Sequence, residues 1–203
     1  MKKNEDEIAA FKEQFVSKIE EKVPAGQPRP VTVWAMDESR LGLHTVRRRR
    51  LTARGTKPVG IHQHRFKNFY VYGAIAPASG KNLFMVAPKM TTEVFQRFLE
   101  QFAAKHVDTF NVLVVDNSAT HHAKELVIPA NVALVFQPAY APEVNPAERV
   151  WQALKTGLAW RCFETIEALQ ERVVELLKGW EDDMLRSLTA YPYIMTALNA
   201  LSS

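Results

Sequence analysis

The sequence predicts an α/β protein built on one mixed sheet, with most of its helices gathered late in the chain. Five short apolar runs, at 31–36, 69–76, 82–87, 112–115 and 132–136, have strand length and turn-forming residues at their ends. A helical spacing of apolar residues separates the third run from the fourth, and the same periodicity dominates after residue 145. The chain has 203 residues, 47% of them hydrophobic and 24% charged, which suits one globular domain with a sizeable core.

Taken in order, residues 4–22 place Ile8, Phe11, Phe15 and Ile19 on one face of a helix, and Pro24, Gly26, Pro28 and Pro30 break it. The first strand, Val31–Met36, ends on Asp37. Residues 41–64 are the most polar and basic stretch and read as a hairpin or extended loop turning at Gly55. Phe69–Ala76 and Asn82–Ala87 form a hairpin around Pro77-Ala-Ser-Gly80. Val94, Phe95, Phe98, Leu99 and Phe102 mark a helix over 92–106. The strand Val112–Val115 ends on Asp116-Asn117, and a polar segment through His121-His122 leads to the strand Val132–Phe136.

Asn145 then suits a helix N-cap and Pro146 a first helical position, which puts Glu148 in the first turn. Ala147, Val150, Trp151, Leu154 and Leu158 form the apolar stripe of that helix, with Glu148, Gln152 and Lys155 on its polar flank. Ile166, Leu169, Val173, Leu176 and Leu177 mark the next helix, closed by Gly179. Short helices over 184–188 and 194–201 finish the chain. The expected organisation is an N-terminal helix and linker over 1–30, a main domain over 31–180 and a helical tail over 181–203.

Composition narrows the chemistry. A single cysteine, Cys162, excludes an intrachain disulfide framework and a zinc site built from several thiolates. No apolar h-region follows the charged N-terminus and no run approaches the ~20 residues of a membrane helix, so a cytoplasmic protein without membrane contact is expected. The net charge of +4 and pI near 9.2 permit a polyanionic partner. Arg47, Arg48, Arg49, Arg50, Arg54 and Lys57 concentrate that charge.

An acid just past the end of a buried strand lies where open α/β sheets place their chemistry. Asp37 and Asp116 occupy such positions, and Glu148 could face them from its helix. Three carboxylates on one spot suit hard, hydrated Mg2+ ions working on phosphodiesters, and no set of thiolates or clustered histidines points to a softer metal. Each residue also has a plainer reading. Glu148 fits a capping box with Asn145, and Asp116-Asn117 fits a turn. Glu38 competes with Asp37, and Glu143 with Glu148. His121 and His122 fit metal ligands, caps, or groups supporting the acids or contacting phosphate. Lys155 fits a phosphate contact or ordinary surface charge. Trp34, Trp151, Trp160 and Trp180 read as core.

Three motifs add a resemblance. Asp37-Glu-Ser39 after a strand, Val115-Asp-Asn-(x)3-His121, and Tyr140-Ala-Pro-Glu-Val-Asn-Pro-Ala-Glu-Arg-Val-Trp-(x)3-Lys155 resemble the mariner superfamily of DDE transposases, especially its bacterial insertion-sequence branch. The likeness runs from about Val31 to Leu177. It implies a ribonuclease H-like, mixed five-stranded sheet with flanking helices. By motif, Asp37 and Asp116 would bind two Mg2+ ions, with Mn2+ as a substitute, and Glu148 would be the third acid. Asn117, His121 and Asn145 would support them. The implied reaction is cleavage of DNA strands followed by joining of the freed 3′-hydroxyl to target DNA. Transposon ends and target DNA are then the expected partners, with a homodimer as a further possibility. The alternatives are an inactive DNA-binding remnant and a repair or recombination nuclease of the same fold. Members of the family usually carry a helix-turn-helix region before the first acid. Here only the 4–22 helix precedes the first strand, so specific recognition of transposon ends is expected to need a separate helix-turn-helix chain.

Overall fold

The computed structural model describes residues 4–46, 52–57, 63 and 65–201. Five strands, β1 (Val31–Gly42), β2 (Asn68–Ile75), β3 (Asn82–Ala87), β4 (Phe110–Val115) and β5 (Val132–Phe136), form one sheet in the order β3-β2-β1-β4-β5. The pairs β1–β2 and β2–β3 are antiparallel, and β1–β4 and β4–β5 are parallel. The mixed sheet is thus as predicted. The helices are α1 (Glu5–Glu13), α2 (Phe15–Glu20), α3 (Thr92–Lys105), α4 (Ala147–Gly157), α5 (Ile166–Lys178), α6 (Asp182–Thr189) and α7 (Pro192–Leu201). No helix of the described residues is long and apolar enough to cross a membrane.

Both faces of the sheet are covered, because alternate residues of each strand point opposite ways. On one face Trp34, Met36, Tyr72, Leu113 and Val115 meet Phe95, Phe98, Leu99 and Phe102 of α3. On the other, Ala35, Leu41, Val71 and Ile75 meet Val150, Trp151 and Leu154 of α4, with α5 and α6 in the same cluster. The remainder of that face, Val33, Val112, Val114 and Val135, is closed by Ile8, Phe11, Phe15 and Ile19 from α1 and α2 and by Ile194 from α7. Thr91 and Thr165 cap α3 and α5 through their hydroxyls, which accept from Val94 N and Ala168 N. The β2–β3 turn needs Gly80, whose φ is +79 and where a Cβ would meet the Asp182 carbonyl oxygen at 1.8 Å.

Several boundaries differ from the sequence reading. Strand β1 does not end before Asp37; β2 keeps pairing with it, from Ala35–Ile75 through Asp37–Gly73 to Gly42–Asn68. The polar run Asp37-Glu-Ser-Arg40 hid that extension. The N-terminal helix is broken at Gln14, which leaves the helical region with ψ of 6°, although its four apolar residues stay buried on one side. Helix α4 starts at Ala147, with Pro146 rather than Asn145 in the cap position. Beyond β1, Leu43 N donates to Lys67 O and Thr45 N to Gln63 O, so the described ends of the basic segment do run as a hairpin. Arg47, Arg48, Arg49 and Arg50 lie outside the described residues.

Phe15 is fully buried, 5.5 Å from the Phe11 ring and 5.1 Å from the Tyr193 ring. Phe15→Ala is expected to cost about 3–5 kcal/mol in urea unfolding, the usual range for emptying such a site. A loss under about 1 kcal/mol would show that the N-terminal helices rest on the sheet without supporting it.

Candidate active site

The register of β1 and β4 brings the first two acids together. Ala35 pairs with Val114, and two residues further on the strands reach Asp37 and Asp116. Glu148 arrives from the first turn of α4 through a buried clamp. The Asn145 side chain donates from Nδ2 to Met36 O at 3.0 Å and accepts from Ala147 N at 3.1 Å. One amide therefore ties the start of α4 to the residue before Asp37, and it satisfies an otherwise orphaned helix N–H. Asp37, Asp116 and Glu148 all line one cleft of about 430 Å³, together with Asn117, Gln137 and Tyr140.

Asp37 is held from the α4 side. The Trp151 indole Nε1 donates to its Oδ2 at 2.9 Å. The indole lies across Gly73, the β2 partner of Asp37, where a Cβ would come within 2.6 Å of it. Burial pushes the Asp37 carboxyl up to about 8, with the like charges of Glu38 and Glu148 adding to the rise and the Trp151 bond opposing it.

Asp116 is held from the other side. The buried His121 ring places Nδ1 2.8 Å from Asp116 Oδ1 and Nε2 3.1 Å from Glu38 Oε1, with the Phe95 ring centroid 4.3 Å away. Burial alone would lower the His121 pKa. Hydrogen bonds to Asp116 and Glu38 outweigh it and hold the imidazole at about 10, so both nitrogens donate at neutral pH. In return the His121 bond, helped by Ser118 N at 2.9 Å, keeps the Asp116 carboxyl below its usual range against the effect of burial. Next in the chain, Asn117 Nδ2 donates to Gln137 O and its Oδ1 faces His122 Nε2 at 3.1 Å.

The other sequence candidates lie in different places. Glu38 does not line the cleft; its carboxylate meets His121. Glu143 is exposed and also off the cleft. Asn145 N, the donor a capping box would offer Glu148, goes instead to Pro142 O at 3.0 Å. His121, with a fully buried side chain, cannot touch a phosphate, and His122 is exposed and stacked on Phe136. Arg54 and Lys57 are exposed and do not line the cleft. Lys155 is half-buried in a separate pocket with Arg40 and Arg161. Trp34 and Trp151 are buried, while Trp160 and Trp180 are half-buried. Among the described residues, no group of three or more His, Cys, Asp or Glu side chains is arranged to hold a metal ion.

Sequence reasoning missed the Trp151–Asp37 bond and the Glu38–His121 link. A signal for the first was present: Trp151 lies three residues after Glu148, on a neighbouring part of the same helix face. The second joins residues 83 apart in the chain, and no local pattern announces it.

Residues 32–170 match the family model described as DDE superfamily endonuclease. The chain belongs to the DDE superfamily endonucleases. An uncharacterized protein, y4pE/y4sA, of Sinorhizobium fredii is 36% identical over 112 residues, covering 55% of this chain and 82% of that protein. The insertion element IS630 39 kDa protein of Shigella sonnei is 29% identical over 120 residues, 53% of this chain and 35% of that protein. The DDE chain has the ribonuclease H-like fold of the Mos1 transposase. The Mos1 paired-end complex with left transposon end gives a TM-score of 0.68 at 14% identity, over 98% of this chain and 63% of that one. The Mos1 mariner paired-end complex with Mn gives 0.67 at 14%, over 93% and 60%. This DDE endonuclease chain therefore spans about a third of the IS630 protein and under two thirds of Mos1.

The site also sets a pH dependence. Asp37 has its folded pKa raised from 3.8 to about 8, so its contribution to stability is complete below 3.8 and lost as pH rises through about 8. His121, raised from 6.5 to about 10, contributes in the same sense, with its loss completed at higher pH. In metal-free protein, Asp37→Asn is expected to flatten the fall in unfolding free energy between 3.8 and about 8 and to leave the later, His121-linked fall in place. Denaturant titrations across that range check it; an unchanged slope in the variant would show that Asp37 titrates normally.

Proposed function

We propose that Asp37, Asp116 and Glu148 form the catalytic triad of a transposase domain that cleaves DNA strands and joins the freed 3′-hydroxyl to target DNA. The observation that carries this reading is the convergence of three carboxylates, from β1, the end of β4 and the first turn of α4, on one open cleft. The donor set fits two Mg2+ ions, with Mn2+ as a substitute. It is all oxygen, and burial, with the like charges of Glu38 and Glu148 behind it, raises the proton affinity of Asp37, a cost that cations offset. Mg2+ keeps waters and takes phosphate oxygens as ligands, so carboxylates lining an open cleft suit it. Bound there, the ions would supply an activated oxygen nucleophile and a stabilised leaving oxygen.

The chain's own groups fix the carboxylates in place. Trp151 orients Asp37 through Oδ2. His121 and Ser118 N engage Asp116 at Oδ1. Asn145 anchors the turn that presents Glu148. The His121 charge, itself shared with Glu38, stands behind Asp116 and keeps it ionised at neutral pH. Net charge, the Arg47–Arg50 run, Arg54, Lys57 and Lys155 supply a backbone-directed grip on DNA. The family membership and the fold shared with Mos1, itself seen in paired-end complexes with transposon-end DNA and with Mn, support transposon ends and target DNA as substrates and a paired, dimeric assembly.

Asp116→Asn is expected to reduce Mg2+-dependent nicking of plasmid DNA by on the order of 10²–10³ or more, the cost of losing a preorganised charge at a reacting centre. DNA affinity should stay the same or rise, because a negative charge facing phosphates is removed. Nicking at the unmodified rate by a clean preparation of the variant would falsify the catalytic reading.

A further inference from the structure

Beside Glu148 on α4 stands a cation that takes no part in holding the acids. Arg149 is exposed, and its guanidinium carbon lies 4.5 Å from the centroid of the Tyr191 ring, in the connection between α6 and α7. Consecutive helical residues point about 100° apart, so Arg149 and Glu148 do not face each other although they are neighbours in the chain. Among the described residues, none of the ion pairs involves Arg149.

The seat of this guanidinium is built into the edge of the cleft. Tyr191 packs against Tyr193 edge to face, with ring centroids 6.4 Å apart, and Tyr193 Oη donates to Val144 O. Val144 belongs to the turn whose Ala141 and Pro142 line the cleft. Arg149 is thus tied to one cleft wall through the first turn of α4 and to another through the two tyrosines. A ring on the face of a guanidinium occupies none of its donors, because the five N–H bonds lie in the guanidinium plane. An apolar pair would join α4 to the α6–α7 connection equally well. What arginine adds is a charged fork, held flat, whose shape matches two phosphate oxygens.

We propose that Arg149 holds a backbone phosphate neighbouring the one bound at the carboxylates, on the α7 side of the cleft, with Tyr191 as the positioning residue that keeps the fork open to it. Such a contact fixes the path of the strand and reads no sequence. The proposal rests on the DNA-cleaving reading of the cleft and adds a grip at its edge.

The test measures binding of unrelated duplexes across a salt series at constant Ca2+. Arg149→Ala should bind about 10-fold more weakly at a given salt concentration, the loss of one charge-assisted contact. The slope of log affinity against log salt should become shallower by about 0.9, the share of one phosphate. Arg149→Lys should keep the slope, since the charge stays, and still bind more weakly, since the fork is lost. Tyr191→Phe should bind as the unmodified protein does, whereas Tyr191→Leu should bind more weakly with the slope retained. Arg186→Ala removes the same charge from a side chain already paired with Asp183 at 3.0 Å, and should leave the slope unchanged. If Arg149→Ala lowers the melting temperature and leaves the slope in place, the stack is only a brace between helices and the proposal is overturned, while the nuclease reading stands on DNA binding by the unmodified protein. An equal loss of slope in Arg186→Ala would overturn it too, since net charge alone would then account for the effect. If the folded, unmodified protein binds no duplex at any salt concentration, the DNA reading itself fails and takes this proposal with it.

Discussion

Strand β1 outruns its parallel neighbour, and the cleft exists because it does. β4 stays in register with β1 only as far as the Ala35–Val114 pair, while β2 follows β1 on its other edge to Gly42. From Met36 onward one edge of β1 is open, next to the C-terminal end of β4. Crevices of this kind, beside the carboxyl ends of parallel strands where the chain changes direction, are where open sheets admit ligands. Into this one come the Asp116 turn and the start of α4, the latter through the bond from Asn145 to the Met36 carbonyl. Had β4 run as long as β1, its backbone would occupy the space that Glu148 and the substrate need.

Neighbouring acids in that crevice are tuned in opposite directions by what lies behind them. Asp37 is buried beside the like charges of Glu38 and Glu148, and the neutral Trp151 donor only partly opposes them, so its carboxyl is reluctant to ionise. Asp116 has a charged donor, His121, whose own proton is secured by Glu38 on its far side. Glu38 thus acts on both: directly as a repulsive charge on Asp37, and through His121 as support for Asp116. Packing carries the same division. The face of α3, through Phe95, seats His121, and the face of α4, through Trp151 over Gly73, seats Asp37.

Features that depend on contiguous residues were legible in the sequence. The run Phe110–Val115 is buried at every position and stops at Asp116, so an apolar stretch followed by an acid sufficed to place the second carboxylate. The stripe of α4 was equally plain, since Ala147, Val150, Trp151 and Leu154 all reach the core. The distal half of β1 was not, because its residues are mostly polar and its strand character comes from pairing with the distant β2, as in Asp37 with Gly73 and Gly42 with Asn68. The choice between Asp37 and Glu38 needed the motif resemblance, for alternation says only that they point apart. Asn145 was legible as belonging to the start of α4, though Pro146 holds the cap position; its bond to Met36 spans 109 positions. The left-handed turn at Tyr140 carries no glycine or asparagine at that position, so local composition gave no warning of it.

Where divalent ions bind tests the role of the three carboxylates most directly. Crystals of the protein grown with Mn2+ and a short DNA end, measured at the manganese absorption edge, would locate them without reference to activity. Two anomalous peaks roughly 3.5–4 Å apart, coordinated by Asp37, Asp116 and Glu148, are the expected result. Manganese held elsewhere, with those three carboxylates free of metal in a protein that still cuts DNA, would contradict it.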